Sequence, residues 1–380
     1  MAVSISRAQV RSFRVRAQQL QLGPGDASEP SNASGTLLTT AVLDIGVQDT
    51  GPDGGLWALA LRGVDVSALP EHALATVWTI RGAPHLYRRG DLPAVAAAVA
   101  PFSDADAGKR IYDAVKPLKA AGIGTLDALD QVADAMRSVV TAPMVKGEVS
   151  TRLAGRLGAP YLRYCRACAA THLYEMPFRL AALRAGLELQ AGTSPPVLQP
   201  IPGFAPETHV PQRFDVVRAY LRLLGPATPQ QVAGYLDAPV VEVRARWPQD
   251  AMEVTVEGGR AWALAADVDA LPADGTGTTR LLGPFDLFLQ ARDRATLVDD
   301  PARAKVLWPT LGRPGGVLLD DAVAGIWRAK RSRSGVRVQV ELWSRATAAA
   351  REAIGEQAER LAGFRGLRLD GFDVTHDPRP

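Results

Sequence analysis

The stretch from 211 to 270 constrains the chain most, because capping and turn signals follow one another through it without a gap. "PQRFDVVRAYLRLLG" puts Phe214, Val217, Leu221 and Leu224 on one face of a helix, and Gly225 closes it. "TPQQVAGYLD" opens with Thr228 as N-cap and Pro229 at the first helical position. "DAPVVEVRARW" opens again on a capping acid, Asp237, with Pro239 behind it. "MEVTVEGGRAWAL" then alternates around "EGGR", which is a hairpin signal. Helix, helix, helix, hairpin is the order of a winged helix-turn-helix. Arg244 and Arg246 fall on the third helix, where such a motif places its phosphate and base contacts.

Elsewhere the pattern is coarser. "DASEPSNASG" (26–35) reads as a flexible linker after a basic amphipathic helix carrying Arg7, Arg11, Arg14 and Arg16. A helical segment follows from Thr36 into "LDIGVQDTG". "TVWTIRG" reads as a strand, "APHLYRRGD" as a turn or wing, and "LPAVAAAV" as a helix. Residues 105–190 read as mostly helical. In them "YCRACAATHLYEMPFRLAALRAGLELQ" is expected as a helix pair punctuated by Pro177. "GTSPPVLQPIPGFAP" is a Pro-rich connector and the clearest internal boundary. "GGVLLDDAVAGIWRAKRSRSGVRVQVELW" reads as three strands turning at "DD" and "SRSG". A helix and a last strand, "LRLDGFDV", come after it. The expected organisation is α+β: an N-terminal helix and first winged-helix unit (1–104), a second, mostly helical unit (105–195), a third (208–272), and a β-rich C-terminal section (278–380).

Composition narrows the function classes. At 47% apolar, 380 residues can build a large core, yet no apolar run reaches the length of a membrane span. The first 21 residues lack an apolar signal region, so a cytoplasmic chain is expected. Cys165 and Cys168 stand as a lone "CRAC" with no second pair, and are expected as two small buried thiols on a helix. Five scattered histidines give no metal-ligand spacing, so no metal is expected. No Walker A loop, GxGxxG or G-x-S-x-G occurs, so no nucleotide cofactor, and no cofactor of any kind, is expected. Net charge is only +3, but the cations gather at the N-terminus, around Arg244 and Arg246, and at Arg328, Lys330, Arg331 and Arg333. Local basic clusters on a near-neutral chain point to a polyanion partner. A charged hairpin edge that resists aggregation is the alternative for the last cluster. Trp57, Trp78, Trp247 and Trp327 are expected in the core.

Four stretches carry a family resemblance. "LLGPFDLFLQARDRATLVDD" followed by "GGVLLDDAVAGIWR" resembles the C-terminal signature of the winged-helix DNA glycosylases of the AlkZ and YcaQ type. "VWTIRGAPHLY" resembles that family's strand and turn with an Arg-Gly pair and a histidine. "VLDIGVQDT" sits where the family carries its catalytic loop. The resemblance spans about 36–345. It implies tandem winged helices around a DNA-sized concavity and double-stranded DNA as partner. It also implies a bacterial DNA-repair hydrolase that cleaves the N-glycosidic bond of an alkylated or bulky base. A monomer is expected. The alternative is a winged-helix DNA-binding protein without catalysis, acting as a regulator or lesion sensor. In the glycosylases the loop reads Gln-x-Gln or Gln-x-Asp, and its side chains hold a water against the sugar carbon. Here Gln48 takes the second position, and Gly46, which has no side chain to hold a water, takes the first.

Such cleavage passes through an oxocarbenium-like transition state and needs a positioned water. Asp44, Gln48 and Asp49 are the catalytic candidates. On a helix Asp44 and Gln48 would share a face, one turn apart, and Asp44 could stand in for the missing group. The same residues also read as a polar helix end with Asp49 as a cap. The resemblance suggests that His85 lines the same pocket. Arg292 and Arg294 are expected beside DNA, and Asp286 is expected as a structural cap. His172 is expected to be structural.

Overall fold

The computed structural model describes residues 3–22, 33–51 and 53–377. Of the expected linker, 26–32 lie outside the described residues and 33–35 open the helix Ala33–Thr39.

The block that reads most clearly in the sequence has the expected element order: helices Val216–Leu224, Pro229–Leu236 and Val240–Ala245, then strands Ala251–Val256 and Gly259–Leu264. Its ends are set locally. Asp215 Oδ1 accepts from the N–H groups of Val217 and Arg218, and Thr228 forms a reciprocal capping box with Gln231. Gly225 closes the first helix, and a side chain does not fit there, since a Cβ would lie 2.2 Å from the Leu221 carbonyl oxygen. Asp237 does not cap the third helix. It adopts a left-handed conformation (φ 58°) at the end of the second, and Pro239 precedes the third. The strand Val3–Ile5 adds to this hairpin in parallel, Val3 opposite Val254. The helix Arg7–Ala17 follows, and its arginines face protein. Arg14 is fully buried, donates to the Gly225 and Pro226 carbonyls and pairs with Asp293 at 2.7 Å. Arg11 and Arg16 bond backbone carbonyls. Arg14 is thus an interior cation, whereas Arg7 stays 40% exposed in its pair with Glu257.

A six-stranded sheet organises the middle of the molecule, in the order Val47–Gln48, Pro84–Arg88, Leu74–Trp78, Leu187–Leu189, Val197–Pro200, Met144–Val145. Two expectations change here. "APHLYRRGD" supplies a strand instead of a turn, and the Pro-rich connector supplies Val197–Pro200. The sheet takes strands from both sides of position 104, so that expected border does not part it. The expected helix pair of 164–190 is a β-hairpin, Leu162–Cys165 and Ala170–Leu173, and one helix, Glu175–Arg184. Pro177 sits in that helix's first turn, where its missing N–H costs nothing.

The C-terminal section is a five-stranded sheet, Arg280–Leu282, Gly315–Leu319, Ala322–Arg331, Gly335–Leu342 and Arg368–His376 in spatial order. Asp320 and Asp321, at φ 49° and 62°, make the two-residue turn read as "DD". The helix Ala348–Phe364 crosses over between the last two strands, which are parallel. One apolar cluster joins Trp57, Tyr220, Phe288, Trp327 and Leu361, so N-terminal, central and C-terminal segments share a core. No helix among the described residues is long and apolar enough to cross a membrane.

Candidate active site

Gln48 lies on a strand. The short 3-10 turn Ala41–Asp44 ends before it, and Gly46 at φ +88° turns the chain into Val47–Gln48. Strand alternation then sorts the candidates. Gly46 and Gln48 share one face with Tyr87 and His85, because Gln48 stands opposite His85. Asp49 faces the other way. Its Oδ1 accepts from the Gly55 N–H at 2.8 Å, at the start of the helix Gly54–Ala60, and its Oδ2 from Thr76 Oγ1. Asp44 is buried and held by three arginines: Arg88 at 2.8 Å, Arg213 at 2.7 Å and Arg222 at 2.8 Å. It does not share a helix face with Gln48. Of the three catalytic candidates, Gln48 alone lines the cleft described below.

His85 is buried and does not line the cleft described below. Its Nδ1 is 2.9 Å from the Ala83 carbonyl oxygen and 3.0 Å from Thr79 Oγ1. Burial, and then the Arg81 cation, push its pKa down to about 3, so the ring is neutral at physiological pH. The Tyr87 hydroxyl donates to the Ile45 carbonyl at 3.1 Å, and its ring fills the space beside Gly46. A Cβ on Gly46 would lie 2.3 Å from Tyr87 Cζ. Gly46→Gln therefore rebuilds the sequence motif without rebuilding the site. We expect a loss of about 1–3 kcal/mol by urea unfolding and no gain in base excision.

The second amide near Gln48 comes from far along the chain. Gln290 Nε2 donates to Gln48 Oε1 at 3.2 Å and to the Phe285 carbonyl at 3.3 Å, while Gln48 Nε2 donates to Thr50 Oγ1 at 3.2 Å. Gln290 is carried on the turn Leu287–Gln290, capped by Asp286 through the Phe288 N–H. Asp286 is structural, as expected. It forms a bidentate pair with Arg62, at 2.8 and 2.9 Å, and neither side chain is exposed.

Gln48 and Gln290 sit in the wall of a cleft of about 190 Å³, lined also by Arg81, Phe285, Arg292, Arg294 and Arg313. On its other side Gln48 borders a pocket of about 10 Å³ with Thr50, Asp53 and Asp286, room for one water. No ion pair is made by Arg81, Arg292, Arg294 or Arg313 among the described residues. Burial and then mutual repulsion hold Arg294 and Arg313 below the usual arginine value. For Arg81 burial dominates, with Arg292 and Arg313 adding to it. An anion in the cleft would relieve that repulsion. Arg292 and Arg294 are the two cleft cations that the sequence singles out. Arg313, in "LGRPGG", carries no pattern that does so, and Arg81 shows only as part of an Arg-Gly pair.

The remaining candidates are dispersed. Arg244 and Arg246 are both exposed, and Arg246 is paired with Glu242 at 2.8 Å and lies over the Phe102 ring. Arg328, Lys330, Arg331 and Arg333 are exposed along and beyond the strand Ala322–Arg331, and Arg328 donates to the Gly312 carbonyl. Cys165 and Cys168 are on a hairpin, half-buried and exposed, not buried on a helix.

The mixed α+β architecture is that of a solved glycosylase. The Streptomyces sahachiroi DNA glycosylase AlkZ superposes with a TM-score of 0.68 at 18% identity, over 98% of this chain and 100% of that one. The model of the family described as DNA glycosylase AlkZ-like matches residues 44–364. The chain therefore belongs to the AlkZ-like DNA glycosylase family. None of the curated proteins compared with it matches.

Proposed function

We propose that this chain hydrolyses the N-glycosidic bond of an alkylated or bulky base in double-stranded DNA. The carrying observation is Gln48, an amide set between a water-sized pocket and an arginine-lined cleft. The nucleotide enters the cleft extruded from the stack. Arg292, Arg294 and Arg313 take its flanking phosphates. Gln48 Oε1 accepts a hydrogen bond from the attacking water and faces the positive charge that develops on the sugar. The water oxygen bonds C1′ as the C1′–N bond breaks, and the electron pair leaves with the base. An alkylated, cationic base departs neutral, so no strong general acid is required. The water's proton passes to solvent. Gln290 holds Gln48 in place by donating to its Oε1. Asp44 and Asp49 serve the scaffold in this reading. The helix-helix-helix-hairpin block acts as a winged helix, with Arg244 and the basic hairpin at Arg328, Lys330, Arg331 and Arg333 on the DNA backbone.

The test is incubation with alkylated duplex DNA followed by alkali. Strand breaks at lesion positions are expected. Absence of breaks across a broad lesion panel, with salt-sensitive duplex binding retained, would replace this reading with the non-catalytic one. That second reading has its own support, because Gln48 Oε1 already accepts from Gln290.

The cleft arginines give a separate expectation. Each phosphate contact removed lowers the slope of log affinity against log salt by about 0.9. Arg292→Ala and Arg313→Ala should each show that decrement in duplex binding titrations.

A further inference from the structure

The hairpin of Leu162–Cys165 and Ala170–Leu173 lies apart from the Gln48 cleft, and none of its residues lines that cleft. We propose that Cys165, Cys168 and His172 on this hairpin form a binding site for one thiophilic divalent cation of the zinc class, with a fourth coordination position open to solvent. The inference does not rest on the glycosylase reading.

Geometry carries it. The two Sγ atoms and an imidazole nitrogen all lie within 4.8 Å of one another. Metal–sulfur bonds of ~2.3 Å and metal–nitrogen bonds of ~2.0 Å place tetrahedral ligands ~3.5–3.8 Å apart. Side-chain torsions alone can close the remaining ångström. The backbone is already arranged for a metal-binding turn. Backbone N–H groups of Cys168 and Ala167 are directed at Cys165 Sγ. Ala169, directly after the second cysteine, adopts a left-handed conformation (φ 49°) and reverses the chain. The register pairs Cys165 with Ala170 and Arg163 with His172. Cys165 and His172 therefore project from the same face of the hairpin, two positions apart along it.

The chemistry is consistent with that arrangement. Two thiolates neutralise a divalent charge, and a neutral imidazole completes three ligands of the type zinc prefers. Cys168 is exposed, so a cation reaches the site from solvent. Two four-residue strands make a marginal hairpin, and a cation joining the turn to the return strand would fasten it. Loading releases the thiol protons, so affinity rises with pH.

Reduced, chelator-treated full-length protein titrated with cobalt(II) without oxygen decides the matter. One equivalent is expected to bind, with thiolate-to-cobalt charge-transfer absorption and the visible bands of a tetrahedral ion, and one equivalent of zinc should displace it. Cys165→Ser and Cys168→Ser should each lose most of the charge-transfer intensity. His172→Gln should keep that band and bind cobalt at least about 10-fold more weakly. The proposal is overturned if the reduced native protein shows no charge-transfer absorption, a result that depends on no variant folding. It is equally overturned if the Cys165→Ser/Cys168→Ser protein gives the native spectrum, or if the pair serves only as a reversible disulfide that takes up no metal once reduced. An unchanged titration in His172→Gln removes His172 from the ligand set.

Discussion

Gln48→Ala should lower single-turnover base excision about 10²–10³-fold while leaving duplex binding and thermal stability near native. The size follows from what the side chain faces. A preorganised dipole aimed at developing charge in a water-poor site contributes most in the transition state and little to ground-state binding. The mild effect on stability follows from how little the side chain holds in place. Gln48 is half-buried, and its removal leaves Gln290 Nε2 still bonded to the Phe285 carbonyl. In the proposed reading the phosphate contacts come from the arginines, so affinity for lesion-bearing duplex should move little. Gln290→Leu should give a smaller loss in the same assay, because that residue orients Gln48 without itself facing the sugar. Equal excision by native and Gln48→Ala protein would remove Gln48 from the chemistry, even with excision itself established.

What sequence can reveal tracks how locally each feature is encoded. The 211–270 block is legible because Asp215, Thr228 and Gln231 cap helices through bonds to residues two or three positions away. The hairpin around Cys165 reads as helix because its residues carry no strand alternation or glycine turn. Its reversal rests on Ala169 in a left-handed conformation that an alanine does not announce. The Gln48 site is only half legible. The loop itself stands out, but Gln290 meets Gln48 across 242 positions, and nothing in either stretch encodes that meeting. Asp44 shows the converse. Spacing on a helix offers it to Gln48, whereas Arg88, Arg213 and Arg222, two of them far along the chain, claim both of its oxygens. The N-terminal arginines read as a surface patch because charge alone does not report that Arg14 is buried against Asp293.

Asp286→Ala should destabilise the protein by about 3–5 kcal/mol in urea unfolding, the cost of leaving one member of a buried pair unpaired. Arg62 has no exposed side-chain surface, and after the substitution it would retain only the Ala58 carbonyl and Gln18 Oε1 as partners. Its Nε is already without a partner. The same carboxylate caps the turn that carries Gln290, so two effects coincide in the single variant. The Arg62→Met/Asp286→Leu double variant separates them. Replacing both charges with apolar groups of similar volume removes the orphaned cation and should recover most of the lost stability. It cannot restore the bond from the Phe288 N–H, so Gln290 and through it Gln48 should stay loosely held. The expected outcome is near-native unfolding with excision still depressed. If excision returns along with stability, the Asp286 cap does not position the amide pair, and Gln48 is held by its own strand alone.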